Sequence, residues 1–177
     1  MTRAVACSQA AAEARRPTAR EVCISITEPG APCAVLHGFL DVLRLSFADR
    51  PSVESGRDLS PQDAERIAAF ARRWWDEVET VVVHCHQGVS RSVAVMLALN
   101  YILGHQWAWP TWFRPERRDA VRRFQATGVV TPDAFNYAVY RRVHDALVLG
   151  PDGRPRPGTL DARATSVAMP SAIPESA

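Results

Sequence analysis

Cys85 and Arg91 stand six residues apart in Cys85-His86-Gln87-Gly88-Val89-Ser90-Arg91, and together they can work on a phosphoryl group. A thiolate is a nucleophile toward phosphorus, and a guanidinium offers two parallel N–H groups to oxyanions. The spacing alone has little weight, because four cysteines and 21 basic residues among 177 give about half a chance match, 4 × 21/177. Its surroundings supply the specificity. The β-branched run Val81-Val82-Val83 leads as a strand into His84 and Cys85, and the apolar stretch from Ser92 to Leu103 follows as a helix. Gly88 falls mid-loop, where a positive φ is most needed. A cation in the first turn of a helix opposes the macrodipole unless an anion sits there. Backbone N–H groups turned inward at a helix N-terminus form such a seat. The alternative is a buried strand–turn–helix with an inert cysteine, and it has no use for Arg91 at that position.

The segment His84-Cys85-His86-Gln87-Gly88-Val89-Ser90-Arg91-Ser92 resembles the signature loop of the cysteine-dependent protein tyrosine phosphatases, nearest in layout to the compact dual-specificity branch. That resemblance implies an α/β fold with a mostly parallel central sheet flanked by helices and a helical C-terminal half. It also implies a phosphocysteine intermediate on Cys85. Arg91 grips the equatorial oxygens, and backbone N–H groups from His86, Gln87, Gly88, Val89, Ser90 and Arg91 cradle the phosphate. Lysine would not replace Arg91, since its point charge lacks the planar fork. Ser92 resembles the family's hydroxyl that bonds the sulfur and eases its departure, the alternative being a solvated first-turn serine. His84 supports the loop, either as a structural histidine with a backbone contact or as a tuner of the cysteine. No metal site is read in His84-Cys85-His86, because adjacent strand residues point to opposite faces and no further ligand cluster exists in the sequence. No cofactor is expected.

Departure of an alkoxide or phenoxide needs a proton donor, and Asp49 is the first choice. It follows the C-terminal end of the strand read at Asp41–Phe47, and in a parallel sheet that is the edge where Cys85 also emerges. Asp41 opens the same strand, and eight residues at about 3.3 Å each put it some 25 Å from that edge. Asp58, farther along the same loop, is the alternative acid. Asp49 would otherwise be a turn-forming residue ahead of Pro51.

These residues need a scaffold. Strands are expected at Arg3–Cys7, Glu21–Ile26, Asp41–Phe47 and Thr80–His84, with a turn at Glu28-Pro29-Gly30 and a polar loop from Ala48 to Leu59. Helices are expected at Ser8–Arg16, after the cap Ser60-Pro61, and at Arg91–Leu103 with Gly104 as its stop. The Ser60 helix has an apolar face of Ile67, Phe70, Ala71, Trp74 and Val78. Two more helices are read at Glu116–Ala126 and Pro132–Val148, the second capped by Thr131-Pro132 and lined inside by Phe135, Val139, Val143 and Leu147. Residues 1–149 form the phosphatase domain that the resemblance implies, and 150–177 a disordered tail rich in Pro, Gly, Ser and Ala.

Composition narrows the function further. An apolar fraction of 47% with five tryptophans belongs to a globular chain, and a net charge of +2 points to neither nucleic acid nor membrane. Every basic residue is arginine, which excludes Schiff-base chemistry and a Walker-type loop, since both need a lysine amine. Cys7, Cys23, Cys33 and Cys85 show no zinc-type spacing and no dense disulfide pattern, so a reducing, cytoplasmic setting is expected. The N-terminus lacks an apolar signal-peptide core, and no run reaches the length of a membrane span. The arginines at 114, 117, 118, 122, 123, 141 and 142 are read as a solvated face or as an attraction for an acidic phosphosubstrate, and Trp107, Trp109 and Trp112 as packing residues. The expected partner is a phosphorylated protein or peptide and the chain is expected to be a monomer. Phosphatases of this superfamily that act on phosphoinositides or RNA ends often carry basic residues inside the loop, and the five residues from His86 to Ser90 include none. A phosphoinositide phosphatase and a phosphate-binding pseudophosphatase remain the alternatives.

Overall fold

The computed structural model describes residues 1–49, 58–105, 135–150 and 154. Within them the chain runs β1 (Arg3–Ser8), α1 (Gln9–Glu13), β2 (Glu21–Thr27), β3 (Val42–Ser46), α2 (Pro61–Trp74), β4 (Thr80–Cys85), α3 (Arg91–Ile102) and α4 (Tyr137–Val148). The four strands form one sheet in the order β1-β4-β2-β3, and every pairing is parallel. This is the α/β arrangement expected from the sequence, with helices flanking the sheet.

Parallel strands end at one edge, so the side chains after β2, β3 and β4 meet there. β4 is central, and all six of its residues are buried, as the unbroken Thr80-Val81-Val82-Val83 run requires of a strand covered on both faces. β1 is an edge strand, yet its open side is not bare. The Asn100 amide on α3 accepts from Ala4 N–H at 2.8 Å and donates to Ala4 C=O at 3.0 Å, standing in for a neighbouring strand. α3 packs on β1, β4 and α4, which accounts for its being apolar nearly all round. α2 and α4 pack together, and α2 begins as anticipated: Ser60 Oγ accepts from Asp63 N–H at 3.0 Å, with Pro61 in the first turn.

Two helix boundaries differ by more than one residue from those read in the sequence. α1 ends at Glu13 rather than Arg16, because Arg15 turns away to a two-bond pair with Glu21 (2.6 and 3.0 Å) and Pro17 disfavours helical backbone at Arg16. α4 begins at Tyr137, five residues later than expected. Asn136 is extended (φ −71°, ψ 94°) and its side chain takes the Val139 N–H at 3.1 Å, so the chain enters the helix there. Val139, Val143 and Leu147 face the core as anticipated, and Phe135 packs there from just before the helix. Thr131-Pro132, the helix read at Glu116–Ala126, the arginines from 114 to 123, the three tryptophans from 107 to 112 and almost all of the tail lie outside the described residues. No helix among the described residues is long and apolar enough to cross a membrane.

Candidate active site

The loop from Cys85 to Arg91 joins the central strand to the buried helix, and three contacts set its shape. His86 C=O accepts from Gln9 N–H at 3.2 Å, which fastens the loop to α1. Gly88 adopts φ +76° and packs on the β1–α1 turn so closely that a Cβ there would lie 2.4 Å from the Cys7 carbonyl carbon and the Ser8 nitrogen. Both the conformation and the approach require glycine. The Gly88 N–H then donates to Cys85 Sγ at 3.3 Å.

Cys85 is 2% exposed, and its sulfur also lies 3.2 Å from Ser92 Oγ, a fully buried hydroxyl in the first turn of α3. Ser92 is therefore not a solvated surface residue. Ser90 is the N-cap of α3, yet its side chain makes no cap bond and donates instead to Asp49 Oδ1 at 2.8 Å. The helix N-terminus is thus not closed by its own cap, which suits it to an anion. His86 and Gln87 are exposed on the rim, while Val89 and Ser90 are half-buried.

Arg91 is 2% exposed and held from two sides. One terminal nitrogen, Nη1, donates to the Phe47 carbonyl at 2.6 Å, and the other, Nη2, pairs with Glu28 Oε1 at 2.6 Å. Nε lies 3.8 Å from Asp49 Oδ2, too far for a hydrogen bond, and has no hydrogen-bond partner among the described residues. An aligned guanidinium with a buried N–H to spare is suited to a phosphoryl oxygen.

Asp49 stands just beyond β3 at the edge where Cys85 emerges. Its Oδ1 accepts from both Ser90 Oγ and Asn136 Nδ2, the latter at 2.9 Å. Asp58 is half-buried, two residues before the Ser60 cap. Asp41 is occupied elsewhere, accepting from Trp74 Nε1 at 3.1 Å and from the Val42 N–H at 2.8 Å.

His84 is fully buried, and neither ring nitrogen has a hydrogen-bond partner of normal geometry among the described residues. Burial pushes its pKa down to about 4, against smaller opposing pulls from Glu13 and the Cys85 backbone. At neutral pH the ring is uncharged, so it packs beneath the loop and lends Cys85 no positive charge. Burial also raises Cys7 to about 11, outweighing Arg15, and raises Cys23 further still. Neither is a thiolate at neutral pH.

Two residues of the site were not legible as such. In the sequence Glu28 shows only as part of a turn, and it does open one: Ala31 N–H bonds back to Glu28 C=O at 3.0 Å, with Gly30 at φ +83°. It also follows β2 at the same edge as Asp49, and that placement was the available signal. Asn136 carried no signal in the sequence, since its role depends on a contact with a residue 87 positions away.

No family model matches the chain, and no curated protein matches it. Among solved structures it is similar to the human tyrosine phosphatase-like serine/threonine/tyrosine-interacting protein, with 21% identity and a TM-score of 0.42. The match covers 71% of this chain and 74% of that one, and nothing about the chemistry of this chain follows from it.

Proposed function

We propose that this chain is a cysteine-dependent phosphomonoester hydrolase acting on phosphotyrosine in proteins or peptides, with phosphoserine and phosphothreonine as a second substrate class. The observation that carries the reading is the setting of Cys85: its sulfur accepts from Gly88 N–H and neighbours Ser92 Oγ, at the uncapped start of a helix whose first residue is Arg91. Sulfur, oxyanion seat and guanidinium are the parts that phosphoryl transfer to a thiolate needs.

The chemistry runs in two steps. Cys85 Sγ attacks phosphorus, the P–S bond forms, the bond to the leaving oxygen breaks, and the Asp49 carboxyl gives that oxygen its proton. Water then attacks the phosphocysteine, Asp49 takes a proton from it, and Sγ leaves as thiolate with the Ser92 hydroxyl beside it. Arg91 stabilises the charge spread over the equatorial oxygens in both transition states. This chemistry needs no metal and fits a reducing, cytoplasmic setting.

Hydrolysis of p-nitrophenyl phosphate in EDTA, followed by a panel of phosphopeptides and inositol phosphates, tests the proposal. Turnover that Cys85→Ser abolishes and that favours phosphotyrosine peptides is the expected result. Comparable turnover by the variant, or no turnover by the wild type, overturns it. Preference for the inositol phosphates would move the substrate class and leave the mechanism in place.

A further inference from the structure

We infer that Asn136 is a positioning residue for proton transfer: by filling Oδ1 of Asp49 it assigns the proton to Oδ2, beside the guanidinium that grips the phosphoryl group. The inference rests on the proposed hydrolysis and on Asp49 as its acid.

Asn136 is 5% exposed, and its amide orientation follows from its partners. Its oxygen faces the Val139 N–H at 3.1 Å, which can only donate, and its nitrogen faces the Asp49 carboxyl at 2.9 Å. One side chain therefore caps α4 and tethers the acid. Ser90 Oγ donates to the same Oδ1 at 2.8 Å. A carboxyl oxygen that accepts two hydrogen bonds is the carbonyl-like one, and the other carries the hydrogen. That other oxygen, Oδ2, is 3.8 Å from Arg91 Nε, the donor that has no hydrogen-bond partner among the described residues. A phosphoryl oxygen taken up by Arg91 brings the leaving oxygen toward the proton on Oδ2. Without Asn136 the carboxyl keeps only the Ser90 bond, can rotate about χ2, and presents either oxygen.

Asn136→Ser separates this role from the helix cap. Serine caps helices about as well as asparagine, so the folded state should persist, with a melting temperature close to that of the wild type. A serine at this position lacks the amide donor to Asp49. The full-length chain and the variants Asn136→Ser, Asp49→Asn and the double substitution are compared on aryl phosphates of graded leaving-group pKa. On phenyl phosphate and phosphotyrosine, Asn136→Ser should lower kcat/KM roughly 10-fold, and on strongly activated esters by less than about 2-fold. The dependence on leaving-group pKa should steepen toward that of Asp49→Asn, and the second substitution should add nothing to Asp49→Asn. A wild-type slope in Asn136→Ser, beside a steepened slope in Asp49→Asn, overturns the role of Asn136 and leaves the acid standing. Unchanged slopes in both variants overturn the acid and its positioning together. A wild type that hydrolyses none of the esters removes the proposed function, and this inference with it.

Discussion

Glu28 Oε1 lies 2.6 Å from Nη2 of Arg91, tying the loop after β2 to the first residue of α3. Arg91 is almost fully buried, whereas Glu28 is about half exposed, so the carboxylate aligns the cation at the cost of little burial of its own. Hydrogen bonds to charged groups contribute about 1.5–3 kcal/mol when buried, and this pair belongs at the lower end. Glu28→Gln should therefore lower kcat/KM about 10-fold while the Phe47 carbonyl still holds the other nitrogen. Phosphate, a ground-state anion that restores a negative partner for Arg91, should raise the melting temperature of the variant more than that of the wild type. Equal ligand-induced shifts would show that Glu28 does not balance the Arg91 charge.

Ser92 should act in the second chemical step. Its hydroxyl is 3.2 Å from Cys85 Sγ and buried, well placed to support a departing thiolate. Ser92→Ala should leave phosphoryl transfer to sulfur nearly intact and slow hydrolysis of the phosphocysteine. Rapid-quench assays should then show a burst of released phenol close to one equivalent, followed by a slow steady state. A variant with no burst, slowed equally in both phases, would place the hydroxyl in the first step instead.

At Gly88 the outcome should be structural as well as catalytic. An alanine there meets backbone at 2.4 Å and must hold φ +76°. Neither strain can be relieved by rotating a side chain. Gly88→Ala should cost more than about 2 kcal/mol of stability and remove most activity, measurable by urea titration and by p-nitrophenyl phosphate turnover. Near wild-type stability would mean that the β1–α1 turn yields.

His84 should make stability fall in mild acid. Its native pKa of about 4 lies below the 6.5 of an unperturbed histidine. Between these values the unfolded chain binds a proton that the folded one refuses. Stability from this group is therefore level above pH 6.5 and lost progressively as pH falls toward 4, by about 3 kcal/mol in total. His84→Leu removes the titrating group, and its urea midpoint should change less between pH 7 and pH 4.5 than that of the wild type. Parallel pH profiles for the two proteins would contradict the assignment.

The core of the site was readable because its signals are local. A β-branched run, a cysteine, a mid-loop glycine and an apolar helix lie between Thr80 and Ile102, and each declares its own conformation. Ser60-Pro61 declared its helix for the same reason. The partners of Arg91 and Asp49 did not show in this way. Glu28 is 63 positions before Arg91 and Asn136 is 87 after Asp49, so only the sheet order and the packing of α4 on α3 bring them in. The end of α1 is hidden in the sequence, because the run as far as Arg16 favours helix, while the stop is set by Arg15 reaching Glu21 across a turn.

The pairing of β4 between β1 and β2 also bears on when the candidate site comes into being. Arg3 pairs with Thr80 across 77 positions, and Glu21 pairs with Thr80 across 59. Contacts of such span form late, since the chain between them must first be closed into a loop. A nascent chain released before β4 has β1 and β2 without their common neighbour, and two parallel edges open to other molecules. When β4 inserts, it seals both edges and carries Cys85 to its place in the same event. If the proposed turnover is followed during refolding, its recovery should therefore coincide with completion of the sheet and lag behind collapse of the chain.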